Sequence, residues 1–474
     1  MLVPQAFEQF MWADPEFYDR PGLVPDGDEW FAAARRDVPA GWTRRERELW
    51  IGLQPQDCPV PEQGWKIHIS AVASDAAKVC EAAWDYCVAR RIPFKFLRSR
   101  QAVTVMNGKY ADRAASGKLV TIYPLDDRQL AGALTDLSRE LGGQAGPYIL
   151  SDLRYGSGPL YVRYGAFVDL WCPGADGEPT PAIRRPDGEL VPDVREPAFT
   201  LPDWVTVPEI LRAALPADRD ADGALEFPYD VEAALHFSNG GGVYRGRDTR
   251  TGELVVLLEA RPHCGLDRDG TDAVHRLAAQ RTALERLAGL PCVPRLLDYR
   301  VAWEHQFLVE EYVEGATLLE EIVRRRPLAA AGRSLAPNAE YTAWALHVLK
   351  LLETALESVH ARGIWFGDLH PANILIRPDG RPVLVDFELA SDLADHHRRP
   401  LAAPGFQVPP GVTGAAADLY QLNCLRLFMF FPMIIEAHRE QARLKRLITT
   451  LEQDFPVPGP FGPTLRRELG HRGD

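Results

Sequence analysis

Polar and apolar residues alternate through Gly64-Trp65-Lys66-Ile67-His68-Ile69-Ser70, which predicts a strand with Lys66, His68 and Ser70 on one face. Between 74 and 91 the period lengthens: Ala77, Cys80, Trp84, Cys87 and Val88 recur at helical spacing. Phe94-Lys95-Phe96-Leu97 reads as a second strand, with Lys95 set among aromatic and aliphatic residues. Within 109–124 a basic, glycine-containing turn leads into a further strand, and a helix is predicted at about 126–141. Leu160-Tyr161-Val162-Arg163-Tyr164-Gly165 is strand-like again. Residues 1–60 spread Trp12, Trp30, Trp42 and Trp50 through short polar segments and are expected to form a loop-rich entry anchored by those rings. Residues 173–203 are dense in Pro, Gly and Asp and read as loops or a linker, followed by a connector with one helix to 237. We place a domain boundary near 205, giving units of 1–205 and 206–474.

The second unit opens on Asn239-Gly240-Gly241-Gly242-Val243-Tyr244. This is either a glycine hairpin whose bare backbone N–H groups approach phosphates, or an ordinary glycine turn. A strand at Leu254–Ala260, an amphipathic helix over 272–288, a strand at Phe307–Tyr312 and a Glu314-Gly315 turn follow. Helices are predicted at about 340–361 and across 415–453. Between them lies Gly367-Asp368-Leu369-His370-Pro371-Ala372-Asn373-Ile374-Leu375, then Val385-Asp386-Phe387-Glu388 after a hairpin turned by Pro378-Asp379-Gly380. An Asp, an Asn five residues on, and a second Asp after two apolar runs is the catalytic-loop layout of kinases. In that chemistry Asp368 accepts the substrate hydroxyl proton, while Asn373 and Asp386 hold Mg²⁺ against the phosphates of ATP or another NTP.

With 474 residues, two to three domains are expected, and 46% hydrophobic with 25% charged residues describe an ordinary globular chain. A formal charge of -13 argues against a nucleic-acid partner. The seven cysteines form no CxxC pair and no metal spacing, and no signal peptide or membrane-length apolar run is present, so a cytoplasmic protein with reduced thiols and no membrane partner is expected. Lys66, His68, Lys95, Arg113, Lys118, Arg154 and Arg163 recur on strands and turns of the first unit. Singly, each reads as a solvated strand charge; together they suggest a cavity built for an anion, since Arg forks match phosphate geometry.

The chain resembles the class III lanthipeptide synthetases over essentially all of its length. The resemblance is carried by Trp12-Ala13-Asp14-Pro15-Glu16-Phe17-Tyr18-Asp19, Lys66–Ser70, Arg113 through Pro124, Tyr161–Phe167, Glu259-Ala260-Arg261-Pro262-His263 and the catalytic loop with Val385–Glu388. It implies an α+β chain: an N-terminal domain similar to the phosphothreonine lyases, then a bilobal protein-kinase-like domain. It also implies the activity: NTP-dependent phosphorylation of Ser and Thr in a ribosomal precursor peptide (leader and core), then β-elimination of phosphate to dehydroalanine or dehydrobutyrine. By that resemblance Lys66 and His68 match the lyase Lys-x-His pair, Lys95 the general base, and Arg113 with Tyr123 an Arg placed ten residues before a Tyr. Lys66 would steady the enolate-like charge and His68 would protonate the leaving phosphate. Arg113, Lys118 and Arg154 or Arg163 would hold the phosphate oxygens, and Gly240, Gly241, Gly242 and Val243 the nucleotide.

Three departures stand out. The family's nucleotide-binding lysine, directly before Glu-Ala-Arg, is Leu258 here, and the helix position that should offer its glutamate is Gln280. Substitute cations in reach of the phosphates are Arg245, Arg247, Arg261 and His263, with Arg261 on the opposite strand face by alternation. The family usually continues into a cyclase domain, and this chain stops soon after Phe455-Pro456-Val457-Pro458. Either it is cut short, or it resembles the naturally short synthetases of the lipolanthine type, which work with a separate tailoring or decarboxylase enzyme. Two other readings stand beside the bifunctional one. The kinase unit is a pseudokinase that binds the peptide, or the chain is a small-molecule kinase of the aminoglycoside-phosphotransferase kind, which leaves residues 1–200 unexplained.

Overall fold

In a computed structural model the described residues are 29–175, 177–215, 227–326, 335–395, 403, 405–432 and 441–470. The Trp12–Asp19 motif lies outside them. The first unit is built on a seven-stranded antiparallel sheet with strands β1 Trp42–Arg47, β2 Trp50–Pro55, β3 Gln63–Ile69, β4 Phe94–Leu97, β5 Val120–Ile122, β6 Leu153–Arg154 and β7 Leu160–Ala166. Their spatial order is β1-β2-β4-β5-β3-β7-β6.

Because side chains alternate along a strand, each register row assigns a face. Ile67, Ile69, Phe94, Phe96, Val120, Ile122, Leu160 and Val162 fall on one face and are buried against the helices Ala76–Arg90 and Asp127–Glu140. Trp84 of the first helix meets Phe94 and Phe96 edge-on at centroid distances of 5.8 and 6.1 Å. Each fully buried aliphatic or aromatic side chain there contributes about 1.5–3 kcal/mol by leaving water. The second helix starts where Asp126 accepts from the Gln129 N–H at 2.7 Å, the usual way a helix entry satisfies a free donor.

Two segments differ from the sequence reading. The stretch 42–55, expected to be loop, forms the β1–β2 hairpin at the sheet edge; its run of Thr and charged residues hides the pattern because most side chains on β1 face solvent. The stretch 173–203, expected to be loop or linker, contains a small sheet of β8 Trp171–Pro173, β9 Pro179–Arg184 and β10 Leu190–Pro192. Its prolines sit mostly at strand ends or near them, where a missing N–H costs little.

The second unit has a five-stranded antiparallel sheet, β11 Tyr229–Ser238, β12 Gly241–Asp248, β13 Leu254–Ala260, β14 Leu296–Ala302 and β15 His305–Glu311, in the order β11-β12-β13-β15-β14. The helix Ala273–Arg286 packs beside β13–β15, its entry capped by Asp272, which accepts from the His275 N–H at 3.0 Å. A helical lobe follows, centred on the helices Leu335–Ala361 and Ala415–Phe430 and a core that includes Leu352, Leu356, Phe366, Leu425 and Phe428. Both lobes of the expected kinase-like unit are therefore present. The predicted helical stretch over 415–453 is two helices, Ala415–Phe430 and Gln441–Asp454, and a further one spans Phe461–Gly470.

Candidate functional site

Two sites can be built from these sheets. On the face of the first sheet opposite the two helices, Lys95 of β4 pairs with Thr121 of β5, which pairs with His68 of β3, which pairs with Tyr161 of β7. This row puts Lys95 and His68 on one face, two strands apart, so roughly 10 Å separates their backbones. In the next row Lys66 stands beside Arg163. Gly165 makes that neighbourhood possible: a Cβ there would lie 2.7 Å from a terminal Arg163 nitrogen and 3.3 Å from Lys66 Nζ.

The electrostatics follow from burial. Burial pushes the Lys66 ammonium down to about 7, with Asp193 opposing and Arg163 and Arg195 adding to the shift. Burial likewise lowers Lys95 to about 8, reinforced by Arg195 and Lys118. Its Nζ also sits 4.6 Å from the centre of the Trp50 ring. His68 Nδ1 contacts Asp152, which is wholly buried and also accepts from Ser151 Oγ at 2.7 Å, with Lys118 Nζ at 3.8 Å. Burial would raise the Asp152 carboxyl, but His68 and Lys118 hold it ionised, well below the usual carboxylate range. Burial pushes His68 down to about 4, and the Asp152 carboxylate opposes that shift. Such a carboxylate fixes an Nδ1–H tautomer and leaves Nε2 for a ligand; the negative charge of an arriving phosphate favours the imidazolium, so that Nε2 takes up a proton from water.

Lys118 Nζ donates to the Ala114 carbonyl at 2.6 Å and is also pushed down, first by burial. Arg163 forks onto Asp193, at 3.3 Å for its longer bond, and donates to the Val194 carbonyl at 3.0 Å. Tyr123 packs its ring on Phe167 at 5.2 Å, and burial raises its hydroxyl. The structure brings together Lys66, His68, Lys95, Lys118, Tyr123 and Arg163. It places two others elsewhere. Arg113 lies 4.9 Å from the centre of the Phe237 ring and acts on Tyr244 and Glu259, all on the second sheet. Arg154 pairs with Glu304 and donates to the carbonyls of Ser157 and Gly158.

Sequence reasoning missed Asp152, Asp193 and Arg195. Asp152 had a visible signal in Ser151-Asp152-Leu153-Arg154, but nothing in that run says which histidine it faces. Asp193 and Arg195 lie just past β10, in the stretch read as linker.

The second site is a cavity of about 590 Å³ between the five-stranded sheet and the helical lobe. Gly240, Gly241, Gly242 and Val243 line one side, the Glu310–Val313 segment the back, and Asp368, Asn373 and Asp386 the floor. Gly241 has φ of 156°, and a Cβ there would lie 1.9 Å from the Glu259 carbonyl oxygen, so the close approach of β12 to β13 requires glycine. The hairpin Ile374–Ile376 and Pro382–Leu384 pairs Ile374 with Leu384 and carries Asn373 and Asp386 to one place. The catalytic loop is held from below: Asp418 accepts from the N–H groups of Phe366 and Gly367, both at 2.8 Å, and Gln421 accepts from that of Leu369 at 2.9 Å. These two helix residues carry no motif signal and were not anticipated.

Asn373 Nδ2 donates to Asp368 Oδ2 at 3.1 Å, while Asp368 Oδ1 is buried with no hydrogen-bond partner. An orphaned buried carboxylate oxygen in a cavity is placed to accept a substrate hydroxyl proton. Asp386 sits at φ of 66°, a left-handed conformation uncommon for a non-glycine residue, with Phe387 packed on Phe366 at 4.9 Å. Burial and the neighbouring Glu388 raise the Asp386 carboxyl. That carboxylate, lining the same cavity as the Asn373 amide, suits Mg²⁺, which takes one or two protein oxygens and completes its shell from phosphates and water. The positions of the missing ion pair also line the cavity: Leu258 on β13, and Gln280, whose amide donates to Glu310 at 2.6 Å. Burial raises Glu310 to about 7.

Comparison with known proteins covers both units. Residues 30–221 match the family model described as "RamC, N-terminal domain", and residues 233–454 match the protein kinase domain. A Streptomyces coelicolor protein named "Probable SapB synthase" is 47% identical over 463 residues, which is 97% of this chain and 50% of that protein. The chain thus spans about half the length of this relative. A serine/threonine-protein kinase of Mycobacterium bovis, PknL, is 31% identical over 172 residues, 36% of this chain and 39% of that one.

Proposed function

Because the chain belongs to the RamC family of class III lanthipeptide synthetases, with the N-terminal RamC domain and the protein kinase domain in that order, we propose that it dehydrates a ribosomal precursor peptide in two steps. In the first, a phosphoryl group passes from ATP or another NTP to a Ser or Thr hydroxyl in the kinase cleft. Asp368 Oδ1 takes the hydroxyl proton, the nucleoside diphosphate leaves, and Asn373 and Asp386 would hold the metal. Mg²⁺ neutralises charge on the phosphates when bound. In the second, the phosphopeptide enters the cationic face of the first unit. Neutral Lys95 removes the Cα proton, and Lys66 with its neighbours stabilises the charge that spreads to the carbonyl. The Cβ–O bond breaks as the double bond forms, His68 Nε2 gives its proton to the departing oxygen, and Lys118 and Arg163 hold the phosphate.

The observation that carries this reading is the register row joining Lys95, Thr121 and His68, with His68 seated on ionised Asp152. It sets a weakly basic amine and an oriented imidazole on one face, which elimination needs. The test is a synthetic phosphopeptide without nucleotide: dehydrated product and free phosphate are expected from the wild-type chain and neither from Lys95→Ala. Leu258 and Gln280 favour a second reading, a kinase unit that only binds the peptide; it requires that Mg²⁺ and NTP leave the peptide unphosphorylated. We also propose the division of the chain near 205, and a cytoplasmic setting; none of the described helices is long and apolar enough to cross a membrane.

A further inference from the structure

The cation candidates named from sequence do not reach the kinase cleft. Arg245 and Arg247 pair with Glu232 on β11. Arg261 is buried, bonded to the Asn239 and Tyr148 carbonyls at 3.0 and 2.8 Å. His263 turns towards Asp272. Among the described residues, the Lys and Arg side chains that line the cavity are Lys109 and Arg276, and Lys109 belongs to the first unit.

Lys109 is fixed there by its own backbone. Its N–H donates to the Leu266 carbonyl at 3.1 Å, and the Leu266 N–H donates to the Asn107 carbonyl at 2.9 Å, a bridge between the two units. The Lys109 carbonyl accepts from the Asn239 N–H at 2.9 Å, and the Gly108 carbonyl accepts from Asn239 Nδ2 at 3.0 Å. Asn239 is the residue before the three glycines, so the same segment pins the glycine hairpin. The Lys109 ammonium enters the cavity and meets Glu388, two residues after Asp386. Glu388 is shared with Arg276 at 3.2 Å, and Arg276 lies on the helix of Gln280. Burial alone would lower Lys109, but Glu388, Tyr110 and Asp386 hold it charged.

We propose that Lys109 of the N-terminal unit grips the nucleotide phosphates in the kinase cleft, in place of the strand lysine that this chain replaces with Leu258. Glu388 then does what the helix glutamate does elsewhere: it holds the lysine beside the metal-binding Asp386 until the nucleotide arrives. Lys109 with Glu388 supplies the ion pair that Leu258 and Gln280 do not, and neither buried charge is left alone. The kinase cleft is complete only when the first unit is docked against it. The inference rests on the reading of the second unit as a working kinase.

The experiment uses the full chain, with Mg·ADP and a non-hydrolysable Mg·ATP analogue titrated by calorimetry, phosphorylation of the precursor peptide, and elimination from a synthetic phosphopeptide as a control for folding. Lys109→Ala should weaken analogue binding at least ~10-fold and slow phosphorylation by ~10²–10³, the usual cost of one such group. Elimination should persist, and Leu258→Lys with Gln280→Glu in the Lys109→Ala background should restore part of the loss. In the wild-type chain, an acyl-phosphate derivative of ATP should acylate Lys109, with protection by Mg·ATP, as mapped by peptide mass. Binding and phosphorylation undiminished by Lys109→Ala, or labelling that spares Lys109, would overturn the proposal alone. No nucleotide binding by the wild-type chain would overturn the kinase reading, and the proposal with it.

Discussion

Asp152→Asn tests the acid half of the proposed elimination site with the least change of shape. Asp152 is wholly buried and holds three neighbours: His68 Nδ1, Ser151 Oγ at 2.7 Å and Lys118 Nζ at 3.8 Å. Asparagine keeps the volume and removes the charge that fixes the imidazole tautomer. The acid's share of such a step is about 10²–10⁴ in rate, or roughly 3–5 kcal/mol at 1.36 kcal/mol per decade. The sign of the pH effect follows from the opposing influences on His68: burial lowers it and Asp152 raises it. Without Asp152 the protonated form is lost at lower pH, so the alkaline limb of the elimination profile should move down. Removing one partner of a buried ion cluster also destabilises, by up to about 3–5 kcal/mol, so thermal unfolding is measured beside the kinetics. The assay is single-turnover phosphate release from a phosphopeptide across pH, with phosphorylation of unmodified peptide as the internal control. Elimination at the wild-type rate by folded Asp152→Asn, with an unmoved alkaline limb, would refute the role given to the His68–Asp152 pair.

Other expectations follow from the same geometry. Because burial lowers Lys95 to about 8, its neutral fraction grows about tenfold per unit as pH rises towards 8; the single-turnover rate with phosphopeptide already bound, where the phosphate keeps His68 protonated, should rise along that limb, and a rate flat from pH 6 to 8 would contradict Lys95 as the base. Gly241→Ala puts a Cβ 1.9 Å from the Glu259 carbonyl oxygen, so nucleotide binding by calorimetry should be lost while elimination from phosphopeptide stays intact. Gln421→Leu removes the acceptor for the Leu369 N–H, at 2.9 Å, and should lower phosphorylation more than thermal stability; equal kinase rates would show that the catalytic loop holds its shape without it.

What the sequence shows and what it hides divides along contact order. The Asp368, Asn373 and Asp386 set is legible because one loop and one tight hairpin hold it, so spacing alone implies proximity. Lys66, His68 and Lys95 are legible as strand residues by their alternation, but the row that joins Lys95 to His68 passes through Thr121, which no local pattern marks. The partners that set the chemistry come from far along the chain: Asp152 lies 84 residues from His68, and Glu388 lies 279 residues from Lys109. Residues 173–203 misled because proline density signals loops, yet prolines near the ends of short strands are compatible with the small sheet that leads to Asp193. Arg113 misled differently. Its spacing to Tyr123 fits the resemblance, while its guanidinium turns to Phe237 and Glu259 of the other sheet.

The central claim is that one chain first phosphorylates and then eliminates, at two separate sites. Its most direct test is the mass of a cognate precursor peptide after incubation with Mg²⁺ and NTP. The wild-type chain should yield peptide lighter by one water per modified residue, Lys95→Ala should accumulate peptide heavier by one phosphate group, and Asp386→Asn should leave the peptide unchanged yet dehydrate a phosphopeptide supplied to it. Dehydrated product from Lys95→Ala at the wild-type rate, or a wild-type chain that never adds phosphate, would contradict the account.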